Sequence, residues 1–185
     1  MITIIDYGVG NINAFVNVYK RVDVPVKIAK TAADLEGAEK LILPGVGHFD
    51  HAMNQLNNSG MREKLDDLVL NQKIPVIGIC VGMQMMANNS DEGEVEGLKW
   101  IDATVKKFDE TKIHQVTRLP HMGWNDVKPV KDISLFQGLE KEAIFYFLHT
   151  YYFHCNQAQD ILAVSEYGGE FASAAHHDNI FGIQF

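Results

Sequence analysis

Short apolar runs alternate with helix-like stretches over the first half of the chain. Apolar runs that predict strands lie at residues 2–5, 24–28, 40–43 and 74–79. Amphipathic patterns that predict helices cover residues 11–21, a segment opening at Thr31, residues 49–71 as one or two helices, and residues 83–87. Because strands that alternate with helices are typical of βαβ units, this half predicts a parallel sheet flanked by helices.

The second half has a different pattern, in which strand-like pieces follow one another with little helix between them. These pieces lie at residues 100–108, around 127, and at 144–148, 161–164, 171–175 and 180–185. The polar loop at residues 88–94 separates the halves but is too short to be a domain linker. We therefore expect a single α/β domain over residues 1–185, with an open, mixed, mostly parallel sheet, flanking helices and a β-rich C-terminal half.

Composition narrows the class of protein. A chain of 185 residues can bury a sizeable core without a disulfide or a metal. Its formal net charge of -8 argues against broad binding to nucleic acid or to an anionic membrane. Residues 1–6 have no basic leader, and their apolar run is too short for a signal peptide or a membrane span. We expect a cytoplasmic enzyme that acts on a small molecule or a protein partner.

The two cysteines, Cys80 and Cys155, are too few for a disulfide scaffold and are predicted to be free thiols. Neither has the spacing of a structural zinc site. His149 and His154 lie close to Cys155, but no second cluster completes a set of metal ligands. We therefore predict no metal and no cofactor, and a structural role for Cys155.

Residues 78–82, Gly-Ile-Cys-Val-Gly, place a cysteine between a predicted strand and a predicted helix. Glycines two positions on either side permit the sharp turn of a nucleophile elbow. At a helix N-terminus the backbone N–H groups would favour the thiolate of Cys80, which is the form that attacks carbonyls. A buried structural cysteine is the alternative, and the paired glycines favour the elbow.

Two further glycine-rich turns follow predicted strands. Residues 8–10 open a helix, but a third glycine and an acidic residue after the next strand are missing, so a dinucleotide site is disfavoured. Residues 44–47, Pro-Gly-Val-Gly, end at the same sheet edge as Cys80 if the strands are parallel. The N–H of Val81 and one N–H from residues 45–47 are then candidate donors to an oxyanion.

A thiolate nucleophile needs a base within hydrogen-bond reach. The chain has 8 histidines, most of them near loops or at the ends of predicted strands. Spacing alone selects none of them as the base.

Together these motifs resemble the class I, triad-type glutamine amidotransferases. The resemblance rests on residues 78–84 and 44–47, and a subfamily is indicated by residues 121–125, His-Met-Gly-Trp-Asn, with residues 6–11 and 149–152. Within the family, these strings are similar to the glutaminase subunit of imidazole glycerol phosphate synthase. The resemblance covers essentially the whole chain and implies a flavodoxin-like fold.

The resemblance implies that glutamine is hydrolysed to glutamate and ammonia. The ammonia would pass to a (β/α)8-barrel synthase, bound as a heterodimer, that makes imidazole glycerol phosphate and AICAR in histidine biosynthesis. The implied roles are a nucleophile that forms a glutamyl thioester, an oxyanion hole, a glutamine pocket and a partner interface. Cys80 matches the nucleophile, and Val46, Gly47 and Val81 match the oxyanion hole. Gln84, Thr150 and Tyr151 match the glutamine pocket, and Asn11 and Trp124 match the partner interface.

One departure from the family concerns the base. In the family, the run at residues 182–185 continues into His-Pro-Glu, which supplies the base and the carboxylate that orients it. Here the sequence stops at Phe185, and neither His176 nor His177 matches the base position. We therefore expect these 185 residues to be a C-terminally incomplete domain that is nearly inactive as a glutaminase.

Two other functions stay open at this point. A paralogous glutaminase could supply ammonia for the amidation of surface-polysaccharide sugars, because the acceptor binds to the partner subunit. Alternatively, the chain could be a non-catalytic subunit that docks to the barrel and regulates it. The absent base favours the docking role, whereas the intact elbow argues against it.

Overall fold

The computed structural model describes residues 1–139 and 143–185. Single 3-10 turns lie at Ala33–Leu35, Glu110–Lys112, Ser134–Phe136 and Ala158–Asp160, and a π-helical turn lies at Asp67–Asn71. The remaining helices and strands, in chain order, are β1 Ile2–Ile5, α1 Ile12–Arg21, β2 Val26–Ala29, β3 Lys40–Gly45, α2 Phe49–Asn58, α3 Arg62–Asp66, β4 Val76–Cys80, α4 Val81–Met85, β5 Asn89–Ser90, β6 Ala103–Lys107, β7 His121–Asp126, β8 Lys128–Pro129, β9 Ile144–His149, β10 Tyr151–Cys155, β11 Ile161–Glu166, β12 Glu170–His177 and β13 Ile180–Ile183.

The described residues form an 11-stranded mixed sheet and a separate two-stranded ribbon. Along the sheet the order is β2-β1-β3-β4-β13-β12-β10-β6-β5, and β11 and β8 branch from β12. In this order, β2, β1, β3, β4 and β13 run parallel to one another, β12 is antiparallel to β13 and to β10, β10 is antiparallel to β6, and β5 is parallel to β6. This confirms the predicted α/β fold, with helices confined to the first half and strands filling the second.

The helix predicted from Thr31 is wrong, because only the 3-10 turn at Ala33–Leu35 forms there. The carboxylate of Asp34 accepts hydrogen bonds from the backbone N–H groups of Lys30 and Thr31 and from the Thr31 hydroxyl. Such local side-chain bonds compete with helix formation. Gly37, with φ of 70°, then turns the chain toward β3.

The first turns of the chain pack against the end of β3. The hydroxyl of Tyr7 donates to the Pro44 carbonyl at 2.7 Å, and a Cβ at Gly10 would lie 3.0 Å from the Pro44 ring. Tyr7 is buried, and burial raises the pKa of its hydroxyl, so it stays a neutral donor. The turn after β1 is thereby fixed beside the turn after β3.

The ribbon of β7 and β9 has one buried and one exposed face. His121, Phe147 and His149 point into a core cluster that also contains Phe108 and Phe171. The alternate residues of the two strands are exposed, and several of them are large and apolar: Met122, Trp124, Ile144, Tyr146 and Leu148. The alternation follows from the two-residue period of a strand.

Within residues 1–139 and 143–185, no helix is long and apolar enough to cross a membrane.

Candidate active site

Cys80 occupies a strained turn between β4 and α4. Its φ and ψ are 58° and -118°, a backbone conformation that non-glycine residues rarely adopt. Glycines surround the turn because there is no room for side chains: a Cβ at Gly78 would lie 2.6 Å from the Gly82 carbonyl oxygen, and one at Gly82 would overlap the Leu43 carbonyl oxygen. This is the geometry expected of a nucleophile elbow.

Strand register brings two other segments to the elbow. In the pairing of β3 with β4, Gly45 lies opposite Cys80, so the turn at residues 46–47 follows directly beside the thiol. In the pairing of β13 with β4, Ile183 lies opposite Ile79, so Gln184 comes alongside Cys80. The Gln184 side-chain nitrogen lies 3.8 Å from the Cys80 sulfur.

A cavity of about 400 Å³ opens at the thiol. This volume lies within the range of small-molecule sites. Seven residues that the sequence indicated as nucleophile, oxyanion or substrate groups line it together. The complete lining is Val46, Gly47, Cys80, Val81, Gln84, Glu92, Pro120, Leu148, His149, Thr150 and Tyr151.

The expectation that Cys80 favours the thiolate is not met in this structure. Burial raises the pKa of the Cys80 thiol, and the backbone N–H of Val81 offsets this only in part. The helix that follows, Val81–Met85, has five residues, so few peptide dipoles align behind the sulfur. Cys80 is therefore predominantly a neutral thiol at neutral pH.

This pKa predicts the pH dependence of Cys80 alkylation. Because the thiolate is the reactive form and its pKa is raised, the rate with iodoacetamide should climb about tenfold per pH unit from pH 7 to above pH 9. The measurement is made in a Cys155→Ser background, so that one thiol is counted. A rate that is already constant at pH 7 would show instead that the thiolate is stabilised.

Gln84 and Gln184 form the polar wall beside the thiol. The Gln84 side-chain nitrogen donates to the Tyr151 carbonyl at 3.1 Å and to the Gln184 side-chain oxygen at 3.0 Å. Both glutamines are buried. Since buried amides need partners, these bonds fix the orientation of both side chains.

Of the described residues that line the cavity, one is a histidine, His149. Both of its ring nitrogens already have hydrogen-bond partners. Nδ1 lies 2.8 Å from the Tyr151 carbonyl oxygen, and Nε2 lies 2.9 Å from Nδ1 of His121. Burial lowers the pKa of His149 and of His121. His149 is therefore held as a neutral wall residue and does not present a free nitrogen to Cys80.

Sequence reasoning missed Glu92 and Gln184. Glu92 lies in the polar loop between the halves, and its carboxylate accepts from the Phe49 N–H at 2.8 Å, at the start of α2. Nothing in its spacing pointed to the site, because the contact joins residues 43 positions apart. Gln184 was part of the family string, but only the register of β13 places it beside the sulfur.

Asn11 and Trp124 lie outside the cavity. The side chain of Asn11 accepts from the Ala14 N–H at 3.3 Å and so caps α1. Trp124 is 74% exposed on the outer face of the ribbon and contacts Tyr146 edge to face, with ring centroids 5.7 Å apart. The exposed position of an indole this large marks a candidate contact surface.

Among the described residues, no group of three His, Cys, Asp or Glu side chains is arranged to hold a metal ion. His154 is exposed and Cys155 is buried, so the neighbouring side chains considered as metal ligands point to opposite faces of β10. Burial raises the pKa of Cys155 to about 12, with a smaller contribution from Asp160.

Comparison with known proteins gives a consistent family match. The model of the family "Glutamine amidotransferase class-I" matches residues 3–185. A protein of Bdellovibrio bacteriovorus named imidazole glycerol phosphate synthase subunit HisH is 55% identical over all 185 residues, which make up 91% of that relative. A protein of the same name from Leptospira borgpetersenii is 48% identical, with the same coverage of both chains.

Solved structures share the fold at low identity. A crystal structure titled as a glutamine amidotransferase superposes with a TM-score of 0.73 at 16% identity, covering 100% of this chain and 88% of the other. A glutamine amidotransferase from Thermotoga maritima gives a TM-score of 0.68 at 18% identity, covering 100% of this chain and 74% of the other. At these identities the likeness concerns the fold alone.

Proposed function

We propose that this chain, which belongs to the class-I glutamine amidotransferase family, is the glutaminase subunit of an imidazole glycerol phosphate synthase. The observation that carries the proposal is the cavity at Cys80, which gathers the strained cysteine, the glycine turn after β3 and a polar wall in one place. The curated relatives named above favour histidine biosynthesis as the pathway. The two free thiols are compatible with a cytoplasmic enzyme.

In the proposed reaction, the Cys80 sulfur attacks the side-chain carbonyl of glutamine. The proton of the Cys80 thiol passes to the amide nitrogen, which leaves as ammonia while the thioester forms. Water then hydrolyses the thioester and restores the thiol, so that glutamine and water give glutamate and ammonia. N–H groups of Val81 and of the turn at Val46 and Gly47 would stabilise the oxyanion. Val46 is exposed, and a Cβ at Gly47 would have no heavy atom within 4 Å, so this turn borders open space.

The amino-acid end of glutamine would bind at the other side of the cavity. The carboxylate of Glu92 is the acidic group in the lining and would pair with the α-ammonium of the substrate. Thr150 and Tyr151 also line the cavity and offer further polar groups. Gln84 and Gln184 would orient the side-chain amide that Cys80 attacks.

The outer face of the ribbon is the proposed partner interface. Met122 lies opposite Leu148, and Trp124 lies opposite Tyr146 in the register of β7 and β9. Leu148 also lines the Cys80 cavity, so the apolar face is continuous with the site. A barrel subunit seated on this face would cover the mouth of the cavity and receive ammonia away from bulk water.

The direct test uses the full-length protein, the barrel subunit encoded with it and glutamine labelled with ¹⁵N at the side-chain amide. We expect glutamate release and transfer of the label into imidazole glycerol phosphate. Label in an amidated sugar would favour the paralogous pathway instead. If the barrel activity changes with no turnover of glutamine, the chain is a docking subunit and the proposal is wrong.

Trp124→Ala should weaken binding of the barrel subunit by about 10- to 100-fold, because a large exposed indole at the centre of an apolar face is typical of an interface hot spot. Affinity is measured by isothermal titration calorimetry. The reactivity of Cys80 in the free protein should stay unchanged, since Trp124 does not line the cavity.

Val22→Ala is the matched control for the loss of an exposed apolar side chain. Val22 is 61% exposed and follows the last turn of α1, at the opposite edge of the sheet from Cys80. We expect no change in affinity for this variant. Equal affinity of the Trp124 and Val22 variants would place the interface elsewhere.

A further inference from the structure

A buried histidine pair joins the ribbon to the polar wall of the Cys80 cavity. His121 of β7 and His149 of β9 are cross-strand partners, and Nδ1 of His121 lies 2.9 Å from Nε2 of His149. Both side chains are almost completely buried. Neither is needed to carry a charge or to attack the substrate in the reaction described above, so their arrangement calls for another role.

The hydrogen-bond partners determine which ring nitrogens carry protons. A carbonyl oxygen can only accept, so Nδ1 of His149 donates to the Tyr151 carbonyl at 2.8 Å. In a neutral ring, Nε2 of His149 must then accept, and Nδ1 of His121 must be the donor. The remaining nitrogen of His121, Nε2, accepts from the side-chain amide of Asn125 at 3.2 Å.

Asn125 is the outer end of a series of hydrogen bonds that runs through His121 and His149 to the Tyr151 carbonyl. Its side-chain nitrogen also donates to the Glu166 carbonyl at 2.9 Å, and its oxygen accepts from the Asp126 N–H at 2.9 Å. Both amide hydrogens of Asn125 are thus used. A proton added to either histidine would set two N–H groups against each other, so the geometry requires two neutral rings.

Aromatic packing keeps the pair in place. The His121 ring stacks between Tyr167 and Phe147, with centroid distances of 4.0 and 4.8 Å. Burial lowers the pKa of both histidines, in agreement with the neutral forms. The rings cannot rotate without disturbing this core, which makes the pair a stiff connection.

The inner end of the series reaches the thiol. The Tyr151 carbonyl accepts from His149 and also from the side-chain nitrogen of Gln84. Gln84 in turn donates to Gln184, whose side-chain nitrogen lies 3.8 Å from the Cys80 sulfur. Continuous polar contacts therefore run from the strand that carries Trp124 to the nucleophile.

We propose that His121 and His149 are a positioning pair that couples occupancy of the outer ribbon face to the orientation of Gln84 and Gln184 at Cys80. The proposal rests on the proposed function, because the occupant of the face is the barrel subunit. Seating the barrel on Trp124 and Tyr146 shifts the ribbon. The directional bonds of the pair carry that shift to the Tyr151 carbonyl and hence to the cavity.

Two substitutions at one position separate the two halves of the series. In His121→Asn the amide nitrogen takes the place of Nδ1 and keeps the donor to His149, while the contact with Asn125 is lost. In His121→Gln the amide takes the place of Nε2 and keeps a partner for Asn125, while the donor to His149 is lost. Both variants remove one imidazole from the same core, so a merely structural role predicts similar effects.

The readout is the stimulation ratio, which is kcat/KM for glutamine with saturating barrel subunit divided by kcat/KM without it. We expect His121→Asn to keep this ratio within about threefold and His121→Gln to lower it by about tenfold or more. Affinity for the barrel should be unchanged in both variants. His154→Asn, an exposed histidine on β10, is the control and should keep the full ratio.

Equal loss in the Asn and Gln variants, or loss of basal and stimulated activity in proportion, would overturn the coupling role. Imidazole ¹⁵N spectra of the unaltered protein test the pair without any turnover. Both rings should carry the proton on Nδ1 between pH 6 and 8, and an Nε2–H form of either ring would overturn the proposal.

The failure of the proposed function would look different. If the unaltered protein with its barrel subunit hydrolyses no glutamine, that function is wrong. The coupling is then judged from the side-chain amide ¹⁵N resonances of Gln84 and Gln184, which do not depend on access of a reagent to the cavity. Binding of the barrel should shift these resonances in the unaltered protein and in His121→Asn, but not in His121→Gln; the same shift in all three would refute the pair's role.

Discussion

Cys80→Ala should abolish glutamine hydrolysis in the full-length protein bound to the barrel subunit that we propose as its partner. In the proposed reaction the sulfur forms the covalent bond to the substrate, and residues 78–82 contain no other thiol or hydroxyl. Loss of the nucleophile from a nucleophile–base unit costs about 10⁴- to 10⁶-fold in kcat. Glutamate release, measured by a coupled dehydrogenase assay, checks this result.

Cys155→Ser is the matched control, because it removes the other thiol from a buried position in β10 outside the cavity. We expect this variant to retain kcat within about twofold. If the substitution has any effect, it should be on the free energy of unfolding. The Cys80→Ala protein should still bind the barrel subunit, and its free energy of unfolding should equal that of the unaltered protein. Residual turnover within tenfold of the unaltered enzyme would exclude Cys80 as the nucleophile.

Gly82→Ala should lower the free energy of unfolding by more than about 4 kcal/mol, or prevent folding altogether. A Cβ at this position would overlap the carbonyl oxygen of Leu43 and approach the Pro44 carbonyl carbon at 3.1 Å. These are backbone atoms of β3 held in the sheet, so they cannot turn aside as a flexible side chain would. Helix α4 would have to move off β3 and displace Cys80.

Urea denaturation of Gly60→Ala provides the comparison. Gly60 has φ of 74° but open space around it, so its substitution adds only the cost of a left-handed backbone, about 1–2 kcal/mol. A folded Gly82→Ala protein should also react with iodoacetamide at an altered rate. If the free energy of unfolding falls equally in both variants, the close contact of α4 with β3 does not explain the effect of Gly82→Ala.

Much of the fold was predictable from local pattern. The continuous apolar runs of β1 and β3 indicated buried strands, because a strand covered on both faces needs apolar residues at successive positions. The amphipathic stretch at residues 11–21 indicated α1, whose apolar side is partly covered and whose other side is exposed. The segment after Thr31 was predicted wrongly. There, hydrogen bonds of Asp34 to its own neighbours outweighed the helical pattern, and the chain turns at Gly37 toward β3.

The candidate site was predictable in part. Cys80 and the turn at residues 44–47 could be found because glycines are required where backbones nearly touch, and that requirement is written in the local sequence. Glu92 could not be found, since its place in the cavity depends on a contact with the start of α2. The protonation of Cys80 was misjudged because burial, which opposes the thiolate, is a property of the packed chain.

The sequence by itself determined the elbow, the βαβ half and the family strings around His121 and His149, since each rests on residues close together in the chain. Only the tertiary structure decided that these two histidines bond to each other, that Tyr151 accepts from both His149 and Gln84, and that Gln184 reaches the thiol. Strand register sets these contacts, and it is fixed by the packing of the whole sheet rather than by any one segment.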